Sequence, residues 1–136
     1  MKQHLTDRVH IQLVGGIAAR QFFAPFFFAR EKEVLHAAFL DSELRLVSLI
    51  SVAGTSNEVE LSVSEVLREA VKQDAHAVLL AHNHPSGQPQ PSRADQALTR
   101  QVASVCEHMG IILVDHLIFG DGEPYSFREK GVLADY

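Results

Sequence analysis

The sequence predicts an α/β fold in which a mixed β-sheet is flanked by helices. Short apolar runs typical of buried strands alternate along the chain with stretches whose apolar residues recur at helical spacing. The chain has 136 residues and is 46% hydrophobic, which suits one structural domain with one core. We expect residues 1–30 to form an N-terminal helical segment packed on a core domain of residues 31–136.

The N-terminal segment predicts a short strand and then a helix. Residues 9–14 alternate like a strand, which Gly15-Gly16 would end, and residues 17–29 predict a helix disturbed at Pro25. Five of the eight phenylalanines lie in the range Phe22–Phe28. Such a cluster is either buried against the sheet or exposed as a contact face for a partner or a second copy. The sequence leaves both interpretations open.

The middle of the chain predicts a β-hairpin followed by a helix. Residues 34–41 and 44–52 have the composition of two strands, joined by a turn near Ser42-Glu43. Residues 59–61 predict a further short strand. Residues 62–65 read Ser-Val-Ser-Glu, a capping-box pattern that predicts the start of a helix.

The second half of the chain predicts a strand, a helix and two more strands. Residues 75–81 are a short apolar run typical of a buried strand. The prolines and glycine of residues 85–91 exclude a helix there and stiffen the loop. Helical spacing begins after Ser92. Residues 111–119 then predict an apolar strand, and residues 125–127 are expected to pair back as an edge strand.

The most informative part of the chain is residues 82–95, which read His-Asn-His-Pro-Ser-Gly-Gln-Pro-Gln-Pro-Ser-Arg-Ala-Asp. His82 and His84 are two positions apart at the end of a predicted strand, so their side chains point to the same side. Asp95, in the first turn of the predicted next helix, can supply a third ligand. Two imidazoles and a carboxylate with an open fourth position form the ligand set of a catalytic zinc site. The prediction is one Zn²⁺ per chain.

A second interpretation of these residues is structural. Ser92-X-X-Asp95 before an apolar run is also a capping box, and His82 can be a hydrogen-bonded histidine at a strand end. That interpretation does not explain why paired histidines lie where the cap begins. The cluster as a whole therefore favours a metal site.

The same residues resemble a known family. His82-X-His84, then seven residues, then Ser92-X-X-Asp95 is similar to the JAMM (MPN) metalloprotease motif, and the fuller string resembles the RadC-type branch. Further matches are Gly54-Thr55, Leu98-Thr99, Gly110-Ile111, Asp115-His116 and Ser126-Phe127-Arg128-Glu129. The resemblance runs from about Glu31 to Leu133. It implies a JAB/MPN architecture in a short form without the helix-hairpin-helix region that longer RadC proteins carry.

The JAB/MPN architecture is similar to that of the cytidine deaminases, which bind zinc through Pro-Cys-X-X-Cys. This chain has one cysteine, Cys106, and cannot supply that site. Because Cys106 lies on the apolar side of its predicted helix, we expect a buried thiol and not a ligand or nucleophile. A single cysteine permits no internal disulfide and no signal-peptide pattern is present, so the expected location is the cytoplasm.

The resemblance implies a zinc-dependent metallohydrolase that cleaves peptide or isopeptide bonds. It also implies a glutamate upstream of the motif as the general base. Glu33, directly before an apolar run, fits better than Glu31, the alternative. Ser92 is expected to donate a hydrogen bond to the developing oxyanion or to the metal water. His116 either supports a ligand from behind or belongs to a buried structural pair with Asp115.

Two other functions stay open from sequence. The RadC branch suggests a DNA-repair-associated protein, but a formal net charge of −5 argues against direct nucleic-acid binding. The other is a non-catalytic zinc-containing interaction module that contacts a partner or a second copy through Phe22–Phe28. We expect a peptide or protein substrate. We expect no membrane span, because the apolar stretch of residues 17–29 is short and interrupted by Arg20, Gln21 and Pro25.

Overall fold

The structure is a computed structural model and describes residues 2–4, 12–13, 15–28, 31–53 and 59–133. Its strands are β1 (Lys2–His4), β2 (Val34–Leu40), β3 (Leu46–Ala53), β4 (Ala77–Asn83), β5 (Ile112–Phe119) and β6 (Tyr125–Ser126). Its helices are α1 (Gly15–Phe23), α2 (Val59–Lys72) and α3 (Arg93–Met109), with a 3₁₀ turn at Ala24–Phe27. None of these helices is both long enough and apolar enough to cross a bilayer.

The six strands form one mixed sheet in the order β1-β3-β2-β4-β5-β6. The β4–β5 pair is parallel and the other neighbouring pairs are antiparallel. The α/β class with a mixed sheet is thereby confirmed. All residues of β4 are buried, which explains why the sequence of that strand is an unbroken apolar run up to its final polar residues.

Apolar side chains cover both faces of the sheet, because successive residues of a strand point to opposite sides. On one face, Val66 of α2 and Val102 of α3 pack against the sheet. On the other, Ala19 and Phe23 of α1 do so. His82 has the same parity along β4 as Val78 and Leu80, which belong to the α2–α3 face. Its ring is therefore directed towards the side of the sheet on which α3 begins.

The predicted hairpin is confirmed, with β2 antiparallel to β3. The connection is organised by Asp41, whose carboxylate accepts the backbone N–H groups of Glu43 and Arg45 at 2.9 Å each. Leu44 takes a positive φ of 60° within it. The turn therefore extends beyond the Ser42-Glu43 pair, and β3 begins two residues later than expected.

The predicted strand at residues 59–61 is wrong, because α2 begins at Val59. The Ser62–Glu65 pattern consequently lies inside the helix and does not start it. Val59, Val63 and Val66 are spaced by four and three, so the apolar helical stripe extends one turn further back. A short apolar run of this kind fits a strand or a helix equally well, and the longer helical period decides.

The N-terminal elements partly follow the prediction. Most of the predicted strand at residues 9–14 lies outside the described residues, although Gln12 forms an isolated antiparallel bridge with Arg45. Gly15-Gly16 begins α1 and does not merely end a strand. The predicted disturbance at Pro25 is present, since α1 gives way there to the 3₁₀ turn.

Candidate metal centre

Three parts of the fold bring four candidate residues together. His82 is the last residue but one of β4, His84 directly follows β4, and Asp95 lies in the first turn of α3. Glu33 directly precedes β2, and the pairing of Leu35 with His82 places that end of β2 beside the end of β4. One ligand atom from each of the four residues lies within 4.8 Å of the others. These residues can hold one metal ion.

The inner part of the cluster is formed by the histidines and the aspartate. The Nε2 atoms of His82 and His84 are 3.0 Å apart. Asp95 Oδ1 lies 3.1 Å from His82 Nε2, and Asp95 Oδ2 lies 2.9 Å from His84 Nε2. A zinc ion with bonds of about 2 Å to tetrahedral ligands separates them by about 3.3 Å. The donor atoms therefore fit such an ion after only a slight expansion.

Glu33 forms the outer part of the cluster. Its Oε1 atom lies 3.5 Å from His82 Nε2 and 3.7 Å from His84 Nε2. The Glu33 side chain is 40% exposed, whereas that of His82 is 4% exposed. Glu31 does not belong to the group. Of the two glutamates considered from sequence, Glu33 is therefore the one that lies at the solvent side of the site.

The ring of His84 is oriented by the loop that follows it. Its Nδ1 atom lies 2.7 Å from the backbone carbonyl of Gln88. A carbonyl oxygen only accepts hydrogen bonds, so Nδ1 carries a proton and Nε2 is the ring atom that is left to bind a metal. His84 Nε2 faces the Asp95 carboxylate and the second imidazole. Atoms this close need either a shared proton or a cation between them, so their arrangement suits a cation site.

Asp95 acts as a helix cap and faces the site at the same time. Its Oδ2 atom accepts the Ser92 N–H at 2.8 Å, and Ser92 Oγ accepts the Asp95 N–H at 3.0 Å, which completes a capping box. Burial raises the pKa of the Asp95 carboxyl, but the bond from the Ser92 N–H favours the charged form, and the pKa lies well below its usual range. The cap thus fixes an ionised carboxylate in the cluster.

Ser92 is exposed at the start of α3. In the capping bond its oxygen is the acceptor, so this bond does not use the hydroxyl proton. The two interpretations of Ser92 and Asp95 that the sequence left open are therefore compatible. The capping box is formed, and it also positions a candidate ligand.

Behind His82 lies His116, which is fully buried. His116 Nε2 is 2.7 Å from His82 Nδ1. Asp115 is not in the cluster, because its carboxylate accepts hydrogen bonds from the Ser126 hydroxyl and the Arg128 N–H. Burial raises the pKa of Asp115 in spite of these bonds. His116 therefore supports a candidate ligand, and Asp115 anchors the C-terminal turn.

Asn83 is a site residue that the sequence did not single out. Its Oδ1 atom accepts the Val34 N–H at 2.8 Å, and its Nδ2 group donates to the Lys32 carbonyl at 3.0 Å. These two backbone groups flank Glu33 on both sides. The one signal in the sequence is a polar residue between two candidate ligands, where strand alternation turns its side chain away from the metal.

The loop that carries His84 is pinned to the turn after β5. The His84 N–H donates to the Phe119 carbonyl at 2.8 Å, and the Asp121 N–H donates to the Gly87 carbonyl at 2.8 Å. Gly87 has a φ of 92°, and a Cβ atom there would collide with the Asp121 carboxylate. A Cβ atom on Gly120 would lie 2.5 Å from the Gly87 carbonyl. The two glycines permit this close backbone contact, which stiffens the loop.

A cleft of about 650 Å³ opens beside His84. One wall is formed by α1 and the 3₁₀ turn, and the other by the loops after β4 and β5. The phenylalanine cluster divides between core and surface here. Phe23 is fully buried, Phe27 lines the cleft 5.0 Å from the Phe119 ring, and Phe28 is 87% exposed at the cleft. The cluster is therefore neither wholly core nor wholly a contact face.

A protein-family model described as the RadC-like JAB domain matches residues 17–132. The match begins inside α1 and ends within the last described turn. It contains all the residues of the candidate metal centre, as well as His116 and the cleft. The family resemblance expected from about Glu31 onward is thus confirmed and extends further towards the N-terminus.

Proposed function

The chain belongs to the RadC-like JAB domain family, and from this premise we propose that it is a zinc-dependent hydrolase of peptide or isopeptide bonds. The observation that carries the proposal is the convergence of His82 Nε2, His84 Nε2 and the Asp95 carboxylate within 3.1 Å, with Glu33 on the solvent side. In this proposal, the first three hold the ion. Three protein ligands leave a fourth position open, as catalytic zinc sites require.

The donor set supports zinc but does not exclude other metals. Two imidazoles and one carboxylate suit zinc, and they are also used by other first-row metals. Cys106 cannot contribute, because it is fully buried within the core formed with α2 and α3. The identity of the bound metal must therefore be measured.

The proposed chemistry is hydrolysis of an amide by water. When bound, zinc lowers the pKa of a coordinated water to about 7 and polarises the substrate carbonyl. Glu33 accepts a proton as the water oxygen attacks the carbonyl carbon, and it returns that proton to the leaving nitrogen as the C–N bond breaks. The Ser92 hydroxyl, whose proton the cap does not use, donates to the developing oxyanion.

The cleft beside His84 supports a peptide or protein substrate. Its volume is about 650 Å³, and Phe27 and Phe119 are among the residues that line it. Asp121 and Glu123 also line it. Together with the formal net charge of −5, these acidic groups make direct binding of nucleic acid unfavourable.

The exposed Phe28 favours a second function, that of an interaction module. A phenylalanine that is 87% exposed loses unfavourable contact with water when a partner or a second copy covers it. Sedimentation at several concentrations, with Phe28→Ser as control, tests for self-association through this side chain. Association that persists in the variant would place the contact elsewhere.

The test of the hydrolase proposal begins with metal content. We expect about one zinc per chain by mass spectrometry after purification without a metal-binding tag, and a sharp loss in Asp95→Asn. A screen of peptide and isopeptide substrates follows on the loaded protein. No retained metal, even after reloading, would leave Asp95 as a helix cap alone.

Glu33→Gln separates the base from the ligands. We expect this variant to keep its zinc and to lose turnover by a factor of about 10²–10⁴, because an amide cannot accept the proton. Glu31→Gln is the matched control, two residues away and outside the cluster, and should keep both zinc and turnover. Full activity in Glu33→Gln would exclude Glu33 as the base.

A further inference from the structure

Behind His82, a chain of hydrogen bonds leads from one candidate ligand back to another. His82 Nδ1 lies 2.7 Å from His116 Nε2. His116 Nδ1 lies 2.6 Å from the Thr99 hydroxyl. That hydroxyl donates to the backbone carbonyl of Asp95 at 2.7 Å. This series of hydrogen bonds therefore ends on Asp95, whose carboxylate faces His82 across the metal centre.

The Asp95 carbonyl determines which atoms of this series donate and which accept. The Asp95 carbonyl can only accept, so the single hydroxyl proton of Thr99 is used there. The Thr99 oxygen then presents a lone pair, and His116 Nδ1 must carry the proton that it accepts. If His116 is neutral, its Nε2 atom is an acceptor. His82 then donates from Nδ1, which leaves the lone pair of its Nε2 atom directed at the metal centre.

The surroundings of His116 favour the neutral ring. It is fully buried, and its ring is bonded to the Thr99 hydroxyl and the His82 ring and stacked on the Phe127 ring. None of these three groups carries a negative charge. A buried cation without a counter-ion in contact is unfavourable.

We propose that His116 and Thr99 are positioning residues that fix the tautomer of His82 and tie its ring to the backbone of Asp95. The inference rests on the metal centre of the proposed function. Histidines that bind zinc commonly donate their other N–H to a carboxylate or a backbone carbonyl. Here a second histidine takes that place.

The hydrogen-bonded series His82–His116–Thr99–Asp95, called the relay below, is held rigidly. The His116 ring stacks on Phe127 with ring centroids 4.9 Å apart and an interplanar angle of 10°. Thr99 is 1% exposed on the inner face of α3. The relay thereby links β4, β5 and α3, the three elements that converge behind the site. A shift of any one of them changes the direction of the His82 lone pair.

Thr99→Val is the discriminating change, because it replaces a hydroxyl by a methyl group of similar size. His116 Nδ1 then has no acceptor, and its proton moves to Nε2, where it donates to His82 Nδ1. The His82 proton must then occupy Nε2, on the metal side. We expect the affinity for zinc to fall by about 10- to 100-fold. Thr99→Ser, which retains the hydroxyl, should restore it.

Val102→Ala is the matched control for lost packing. Val102 lies on the same helix, is fully buried and takes no part in the relay. This variant should be less stable than the wild type but should bind zinc as tightly. An equal loss of affinity in Val102→Ala and Thr99→Val would reduce Thr99 to a packing residue and overturn the proposal.

The tautomers are read directly from long-range ¹H–¹⁵N spectra of the histidines, and zinc affinity is read by competition with a chelator. We expect His116 to carry its proton on Nδ1 in the wild type and in Thr99→Ser, both metal-free and zinc-loaded. We expect it on Nε2 in metal-free Thr99→Val. A wild-type His116 protonated on Nε2, or unchanged zinc affinity in Thr99→Val, would disprove the relay.

These measurements are independent of hydrolysis. The wild-type spectrum alone decides the tautomer, even if a variant fails to fold. A protein with the expected tautomers and zinc affinity that cleaves no peptide would contradict the proposed function and leave the relay intact.

Discussion

Asn83 lies between two histidines that face the metal centre, but its own side chain acts on the opposite side of the strand. It is 4% exposed and binds the backbone immediately before and after Glu33. The amide thus bonds to the backbone on both sides of this glutamate. The position of the proposed base therefore depends on a residue that is not one of the proposed ligands.

Asn83→Ala should separate turnover from metal binding. We expect kcat to fall by about 10- to 100-fold, because a small displacement of Glu33 disturbs proton transfer. Zinc content should stay at the wild-type level, since the three proposed ligands are unchanged. The two backbone groups that lose their partners should also lower the free energy of unfolding by about 1–3 kcal/mol.

The two bonds from Asn83 to the backbone on either side of Glu33 form a clamp, and Asn83→Asp is its matched control. The carboxylate can still accept the Val34 N–H but cannot donate to the Lys32 carbonyl. Its kcat should therefore lie between those of the wild type and Asn83→Ala. Wild-type turnover in Asn83→Ala, measured on protein that retains its zinc, would show that Glu33 does not need the clamp.

Cys106 gives a prediction about pH. Burial raises the pKa of its thiol to about 11, from an ordinary value of 9.0. Between these values the folded state holds a proton that the unfolded state has lost, so stability is complete below pH 9 and falls as pH rises towards 11. The loss attributable to this thiol is about 2–3 kcal/mol.

Urea unfolding of the wild type and of Cys106→Ala between neutral pH and pH 11 measures this loss. Tyrosine and lysine titrate in the same window, so the informative quantity is the difference between the two proteins. The wild type should start more stable, because the alanine leaves a small cavity, and this advantage should shrink as pH rises. An advantage that is independent of pH would mean that the thiol is not desolvated in the folded state.

At the scale of elements, the helix boundaries show which sequence signals were sufficient. The start of α3 at Ser92 was predicted because the cap is local, and the same capping box is present in the structure. Gly110 ends α3 with a φ of 71°, a conformation that glycine adopts without strain. Where the signal was ambiguous, as at residues 59–65, the predicted boundary was wrong by one helical turn.

Some parts of the metal centre could likewise be predicted from neighbouring residues, whereas others depend on contacts between distant parts of the sequence. The spacing of His82, His84 and Asp95 is contained in fourteen consecutive residues, so the sequence was enough to bring them together. The Asn83 clamp depends on the pairing of β2 with β4. The Thr99 hydroxyl meets His116 only because α3 packs against β5. Neither contact leaves a periodic or local pattern in the sequence.

At the scale of the whole molecule, the site lies at one end of a sheet whose two faces are packed independently of it. The core on the α2–α3 face and the core on the α1 face contain none of the proposed ligands. The fold is therefore expected to form without metal, unlike small zinc domains that unfold when the ion is removed. The ion should add stability without being a condition of folding.

Removal of zinc should consequently lower stability by a limited amount. At a free zinc concentration about 100-fold above Kd, binding adds about 2.7 kcal/mol to the free energy of unfolding, because the ion binds only the assembled ligands. Chelation should remove this increment and leave a cooperatively unfolding protein with unchanged far-UV circular dichroism. Asp95→Asn, whose amide oxygen can still accept the Ser92 N–H, should be folded and insensitive to zinc. If chelation unfolds the wild type outright, the ion is structural, and the open coordination position that hydrolysis requires becomes doubtful.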